Sequence, residues 1–179
     1  MPSLFRNLLI ATGVLSALSL TLVGFLHFFG SRIDPHHVTT YEDTLALSSS
    51  ELWSYVADIP KQVEWNEGIV KVEELQAFEG HRVWRETYHT GDSLVFYISD
   101  VVERQSFTRT IHDPQSPFQG YWTIEIEALN DETSRIVVTE YGQIKHTILR
   151  FLAHNVMGID TFIKSYVENI KTVAAAAQN

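Results

Sequence analysis

Hydrophobic positions along the chain follow three patterns. From Leu8 to Phe29 they are nearly continuous, with His27 the only ionisable side chain and with Arg6 and Arg32 as flanks. From Val38 to Ile144 they alternate with polar positions in short runs, the signature of half-buried strands. From Thr147 to Ala177 they recur at helical spacing, at Ile148, Leu152, Ile159, Ile163, Tyr166, Ile170 and Val173.

The first pattern predicts a membrane span. At about 1.5 Å rise per residue, Leu8–Phe29 covers about 33 Å and matches a hydrocarbon core of roughly 30 Å. A cleaved secretory signal has an apolar core of roughly 7–15 residues followed by small residues. This core is longer and ends in His27-Phe28-Phe29, so a retained anchor is expected. No second segment is apolar enough to cover it as a core helix. The expected organisation is an amino-terminal flank (1–7), an anchor (8–30), a linker containing Pro35 (31–37) and one domain (38–179). Flanking positive charge tilts the orientation toward the amino terminus inside and the domain outside the cytoplasm.

The second pattern predicts seven strands: Val38–Leu47, Ile69–Phe78, Arg82–His89, Ser93–Glu103, Ser106–His112, Tyr121–Leu129 and Arg135–Ile144. The last six are separated by turn residues (Gly80, Gly91-Asp92, the Pro114–Gly120 loop, Asn130-Asp131) and so are expected as antiparallel neighbours. Between the first two strands, Ser48-Ser49-Ser50-Glu51 offers helix caps for a short helix ending near Pro60, and a second helical turn follows over Lys61–Trp65. The third pattern predicts one long amphipathic helix, bent at Gly158. A seven-stranded sheet curls, and a single helix laid across its concave side leaves space between them.

Charge narrows the partners. All 22 acidic residues lie at or beyond Asp34, against 11 of the 13 basic ones, so the domain carries a net −11. That charge disfavours nucleic acid and broad docking on anionic lipid. With no cysteine, the domain relies on its core alone. His36-His37 has no third ligand nearby and reads as a solvated linker rather than a metal site. No nucleophile elbow, P-loop or dinucleotide loop is present, and no cofactor is expected.

Four stretches stand out: Ser50–Asp58 with Trp65-Asn66, Val83–Glu86, Gly120–Ile124, and Thr139–Ile144 leading to Leu149-Arg150-Phe151. Together they resemble the START-like helix-grip superfamily, which includes polyketide cyclases/dehydrases (SRPBCC proteins), lipid-transfer START domains and plant pathogenesis-related allergens. The resemblance covers Val38 to about Val173. It implies an α+β helix-grip fold, a seven-stranded antiparallel curved sheet wrapped on a long C-terminal helix, with two short helices after the first strand and a hydrophobic cavity. The chain departs from the family pattern at Lys145-His146-Thr147, where Asn-Pro is frequent.

Period-two alternation selects the inner face: Trp84, Glu86 and Tyr88; Leu94, Phe96 and Ile98; Trp122, Ile124 and Ile126; Ile136, Val138 and Glu140. Glu86 and Glu140 thereby fall among apolar residues, and each must find an Arg, His or hydroxyl or have a raised pKa. They are the candidate acid/base residues; an ion pair using Arg82, Arg85, Arg109 or Arg150 is the structural reading. The candidate ligand-binding set is Trp84, Glu86, Tyr88, Phe96, Ile98, Trp122, Ile124, Val138, Glu140, Leu152, Ile159 and Ile163.

An apolar face with few convergent polar groups favours binding over catalysis. The expected function is a membrane-anchored module holding a small hydrophobic molecule (lipid, isoprenoid or polyketide-like) between sheet and helix. The alternatives are a cyclase/dehydrase-type enzyme using a cavity glutamate, and a membrane-tethered protein-interaction scaffold with a collapsed cavity. A linker of about seven residues spans at most about 25 Å, which keeps any cavity within reach of the headgroups and favours a membrane-derived ligand.

Overall fold

The structure, a computed structural model, describes residues 2–177. In chain order its elements are α1 (Pro2–Gly30), β1 (His36–Leu45), α2 (Ser49–Ala57), a 3-10 turn (Ile59–Lys61), α3 (Gln62–Trp65), β2 (Ile69–Phe78), β3 (His81–Tyr88), β4 (Ser93–Val102), β5 (Ser106–Ile111), β6 (Phe118–Ala128), β7 (Ser134–Ile144), α4 (Thr147–Leu152), a π turn (Ala153–Met157) and α5 (Thr161–Ala177). They group into two units, Met1–Pro35 with Ile144–Gly158, and His36–Gln143 with Ile159–Asn179.

In the first unit, Phe5–Gly30 of α1 is long and apolar enough to cross a membrane. Its large side chains, Leu15 and Leu20 among them, are exposed. Two of its hydroxyls are satisfied within the helix, Thr12 Oγ1 donating to the Leu8 carbonyl and Thr21 Oγ1 to that of Ala17, as hydroxyls facing lipid require. Here α4 lies against the carboxyl end of α1. Phe151 meets Phe25 edge-on at 6.0 Å, and Thr147 Oγ1 is hydrogen-bonded to His27 Nδ1 at 2.8 Å. A Cβ at Gly30 would collide with the Thr147 carbonyl, so glycine there permits the approach.

The second unit is a seven-stranded sheet in the order β1-β7-β6-β5-β4-β3-β2. Its paired strands run antiparallel, with register shifts within β2–β3 and β4–β5. Such bulges bend and twist a sheet. The buried face of α5 carries Ile163, Tyr166, Val167, Ile170 and Ala174, which join one core with Trp84, Phe96, Ile124, Ile136 and Val138 from the strands and Leu52 and Val56 from α2. This is the helix-grip arrangement of the START-like fold. A capping box starts α2: the Glu51 amide donates to Ser48 Oγ and the Ser48 amide to Glu51 Oε2.

Two expectations need correction. The helix expected over Thr147–Ala177 is interrupted, because after the π turn Gly158 adopts φ +87°, a conformation no continuing helix allows. His36-His37 is not solvated linker: both residues belong to β1, and the His37 side chain is buried beside Glu140. Gly142 stands opposite His37 in the register, and a Cβ there would strike the imidazole. The missing side chain makes room for the ring.

Candidate functional site

The inner face of β3 presents Trp84, Glu86 and Tyr88 in succession, two residues apart. Two of these side chains turn back on the third: Trp84 Nε1 donates to Glu86 Oε1 at 2.8 Å and the Tyr88 hydroxyl to Glu86 Oε2 at 3.0 Å. Arg109 reaches Glu86 Oε2 from β5 at 2.7 Å, and the two side chains are only 4% and 2% exposed. Between them in the sheet lies β4, whose Phe96 pairs with Trp84 in register. The guanidinium passes over the Phe96 ring, 3.8 Å from its centroid, with Trp84 and Trp122 at 5.4 and 5.5 Å. The cation is thus neutralised by a carboxylate and shielded by three aromatic faces.

Burial draws Arg109 toward its neutral form, but the charge of Glu86, helped by Tyr88 and by the hydrogen bond, outweighs it and raises the guanidinium above its ordinary value. Burial, reinforced by the Glu86 charge, pushes Tyr88 well up. Burial likewise raises Tyr166, against the pull of Arg109. Both phenols are therefore neutral at physiological pH, and act as hydrogen-bond donors rather than bases.

Tyr166 closes the site from α5, its ring 5.2 Å from Trp65 and 5.9 Å from Trp122. Its hydroxyl is buried with no hydrogen-bond partner among the described residues. So are Arg109 Nε, Trp65 Nε1 and both polar atoms of the Gln62 amide. Buried polar groups are almost always satisfied, and the orphaned atoms of Arg109, Trp65 and Tyr166 share one cluster of aromatic rings, which makes this the candidate site.

A second polar pair lies at the β1–β7 end of the sheet, where His37 Nε2 is 3.2 Å from Glu140 Oε1. Glu140 Oε2 is buried and has no partner among the described residues. Nearer the carboxyl end of α5, the Tyr41 hydroxyl donates to Glu168 at 2.8 Å and Lys171 donates to Asp43 at 2.5 Å, tying the helix to β1.

Of the residues expected to line a site, Trp84, Phe96, Ile124, Val138 and Ile163 share the core, with Ile98 and Trp122 packed against it. Glu86 and Tyr88 are joined by their hydrogen bond, whereas Glu140 belongs to the separate pair with His37. Ile159 sits half-buried just after the Gly158 break, and Leu152 lies on α4 in the unit of the anchor helix. Tyr166, Trp65 and Gln62 were absent from the expected set. Arg109 appeared only as one of four possible partners, although it stands between Phe107 and Ile111 at the inward positions of β5. An arginine in an apolar period-two series is the signal that points to it.

No family model matches the chain, and neither does any curated protein. Solved structures do match in fold. The chain is similar to the Zhui aromatase/cyclase from a Streptomyces species, with TM-score 0.64 and 13% identity, covering 80% of this chain and 96% of that one. It is similar to a START superfamily protein from Mycobacterium smegmatis, with TM-score 0.61 and 16% identity over 79% of this chain and 99% of that one. It also resembles norcoclaurine synthase from Thalictrum flavum in complex with dopamine and hydroxybenzaldehyde, with TM-score 0.60 and 11% identity over 79% and 87%. At these identities the likeness establishes a START-like fold and leaves the chemistry to the site.

Proposed function

We propose that the protein is a membrane-anchored binding module whose START-like domain holds a small hydrophobic molecule, such as a lipid, isoprenoid or polyketide-like compound, between the sheet and α5. One observation carries this reading: Arg109 Nε, the Tyr166 hydroxyl and Trp65 Nε1 are orphaned among the aromatic rings of the core. Together they suit a ligand with an apolar body and one hydrogen-bond-accepting oxygen. The START-like fold supports the reading, and the structure of norcoclaurine synthase with two small aromatic molecules is an instance of this fold holding such compounds. Leu8–Phe29 supplies the anchor, and the flanking charges favour a domain outside the cytoplasm.

Binding is favoured over catalysis at Glu86 because its oxygens are already occupied by Trp84, Tyr88 and Arg109. The test is to purify the full chain in detergent, extract it and identify any bound molecule by mass spectrometry, then repeat with Tyr166→Phe. Retention of a hydrophobic compound by the parent and its loss from a stably folded Tyr166→Phe supports the proposal. Protein that stays empty after reloading with candidate lipids overturns it.

A second reading, a cyclase/dehydrase-type enzyme, is favoured by the Glu140–His37 pair, whose carboxylate keeps one buried oxygen unengaged. On that reading Glu140→Gln abolishes turnover with the fold intact; equal loss of stability and activity would count against it.

A further inference from the structure

The anchor unit carries a feature that neither the ligand nor the sheet explains. Residues 144–158 contain no acidic side chain, although the rest of the domain is strongly acidic; Lys145, His146, Arg150 and His154 all fall within them. The segment is held against the end of α1 by a buried arginine. Arg150 donates to the carbonyls of Ile144 at 3.0 Å, Lys145 at 3.2 Å, Ile33 at 3.0 Å and Gly30 at 3.4 Å. The last two are carbonyls at and just beyond the carboxyl end of α1, where the helix dipole favours a cation.

That attachment fixes the depth of α4. Phe151 packs on Phe25, four residues before the end of the apolar run at Phe29, or about 6 Å inward along the helix axis. If α1 spans a bilayer, Phe151 lies at the boundary between headgroups and acyl chains. Beyond it, Val156 and Met157 in the π turn are 69% and 53% exposed.

We infer that the segment from Thr147 to Met157 is a second membrane contact, an interfacial element that lies against the bilayer beside the anchor and immerses Phe151, Val156 and Met157 in it. The partner is the lipid surface of the leaflet at which α1 ends. Continuity with the lateral surface of α1, the absence of acidic side chains and the apolar exposure argue for lipid over a second protein. Leu152 then belongs to this contact rather than to the ligand site. The inference rests on the anchor reading of α1 but not on the ligand.

Because the chain lacks cysteine, single labels can be placed without background. Val156→Cys, Met157→Cys, Leu15→Cys and Glu132→Cys are each labelled with an environment-sensitive fluorophore in the full chain, reconstituted into phosphatidylcholine vesicles containing some phosphatidylglycerol. Quenching is read with lipids carrying a nitroxide either near the headgroup or deep on an acyl chain, the deep label reporting on Leu15, and with aqueous iodide. The expected result is a blue-shifted emission at 156 and 157 that shallow nitroxide quenches strongly and iodide weakly, consistent with a burial of about 5–10 Å. Glu132, in the β6–β7 turn, serves as the water-exposed comparison. Iodide quenching at 156 and 157 equal to that at 132, with Leu15 still lipid-quenched, overturns the inference and leaves the anchor standing. Protection from iodide without nitroxide quenching also overturns it, since a protein then covers the face. Absence of lipid quenching at Leu15 overturns the anchor and this contact together.

Discussion

Each unit buries one arginine, and the two are stabilised in opposite ways. Arg109 meets a full countercharge, Glu86, under a roof of aromatic rings. Among the described residues Arg150 meets only backbone carbonyls, at the end of α1 and at the β7–α4 junction. Removing Arg109 strands a charge in the core; removing Arg150 strands dipoles at a junction. The first loss should be felt by the whole domain, and the second where α4 is attached.

The sharpest way to break the comparison is Arg109→Met. Leaving Glu86 buried and unpaired should cost about 3–5 kcal/mol. It is read as a large fall in the denaturation midpoint of the full chain in nanodiscs. Glu86→Met added to Arg109→Met should recover part of the loss, because apolar replacement of a whole buried pair is often tolerated. No recovery would mean that the pair is not the source of the effect.

Arg150→Met should act more locally, exposing the 144–158 segment to protease while the sheet unfolds at nearly the parental midpoint. Loss of a satisfied buried carbonyl partner costs about 1–3 kcal/mol, so the nick should be plain against the parent. Simultaneous loss of the whole fold would show that the two arginines act alike.

Tyr166→Phe should be smaller still at neutral pH, near neutral or slightly stabilising, because among the described residues its buried hydroxyl has no partner to lose. Its effect belongs at high pH. The folded pKa of Tyr166 is raised by burial, so its contribution is fully present below the unfolded value near about 10 and is lost as pH rises toward the folded one. Tyr88 behaves in the same sense. Urea midpoints between neutral and strongly alkaline pH should therefore fall less steeply in Tyr166→Phe than in the parent.

The least effect is expected from Asp43→Asn. The hydrogen bond from Lys171 holds the Asp43 carboxyl below its ordinary value, so its contribution is present above about pH 4 and is lost as pH falls through the folded pKa. Water screens an ion pair with a half-exposed lysine, so the pair contributes little to stability. Midpoints of parent and variant should therefore converge in acid.

Much of the architecture is legible in side-chain periodicity. The bounds of β2 coincide with the expected run Ile69–Phe78, and the inward series Trp84-Glu86-Tyr88 forms a hydrogen-bonded unit. Alternation does this well because one face of each strand is dry, and a register slip would turn every such residue to water. The alternation also required that Glu86 find a cation or hydroxyl. It left open which of four arginines answered, since β3 and β5 meet only through β4.

The sequence by itself determined the order of elements, the apolar anchor segment and the inward face of each strand, because these depend on local period and composition. Only the tertiary structure decided that Arg109 crosses Phe96 to reach Glu86, that His37 joins Glu140 instead of solvent, and that Tyr166 and Trp65 bring orphaned polar atoms into an aromatic core. It also decided that Gly158 breaks the last helix, leaving α4 with the end of α1. The reason is common to all of them: each pairing joins residues far apart in the chain, and whether a buried polar group is satisfied is fixed by three-dimensional neighbours that no local period encodes.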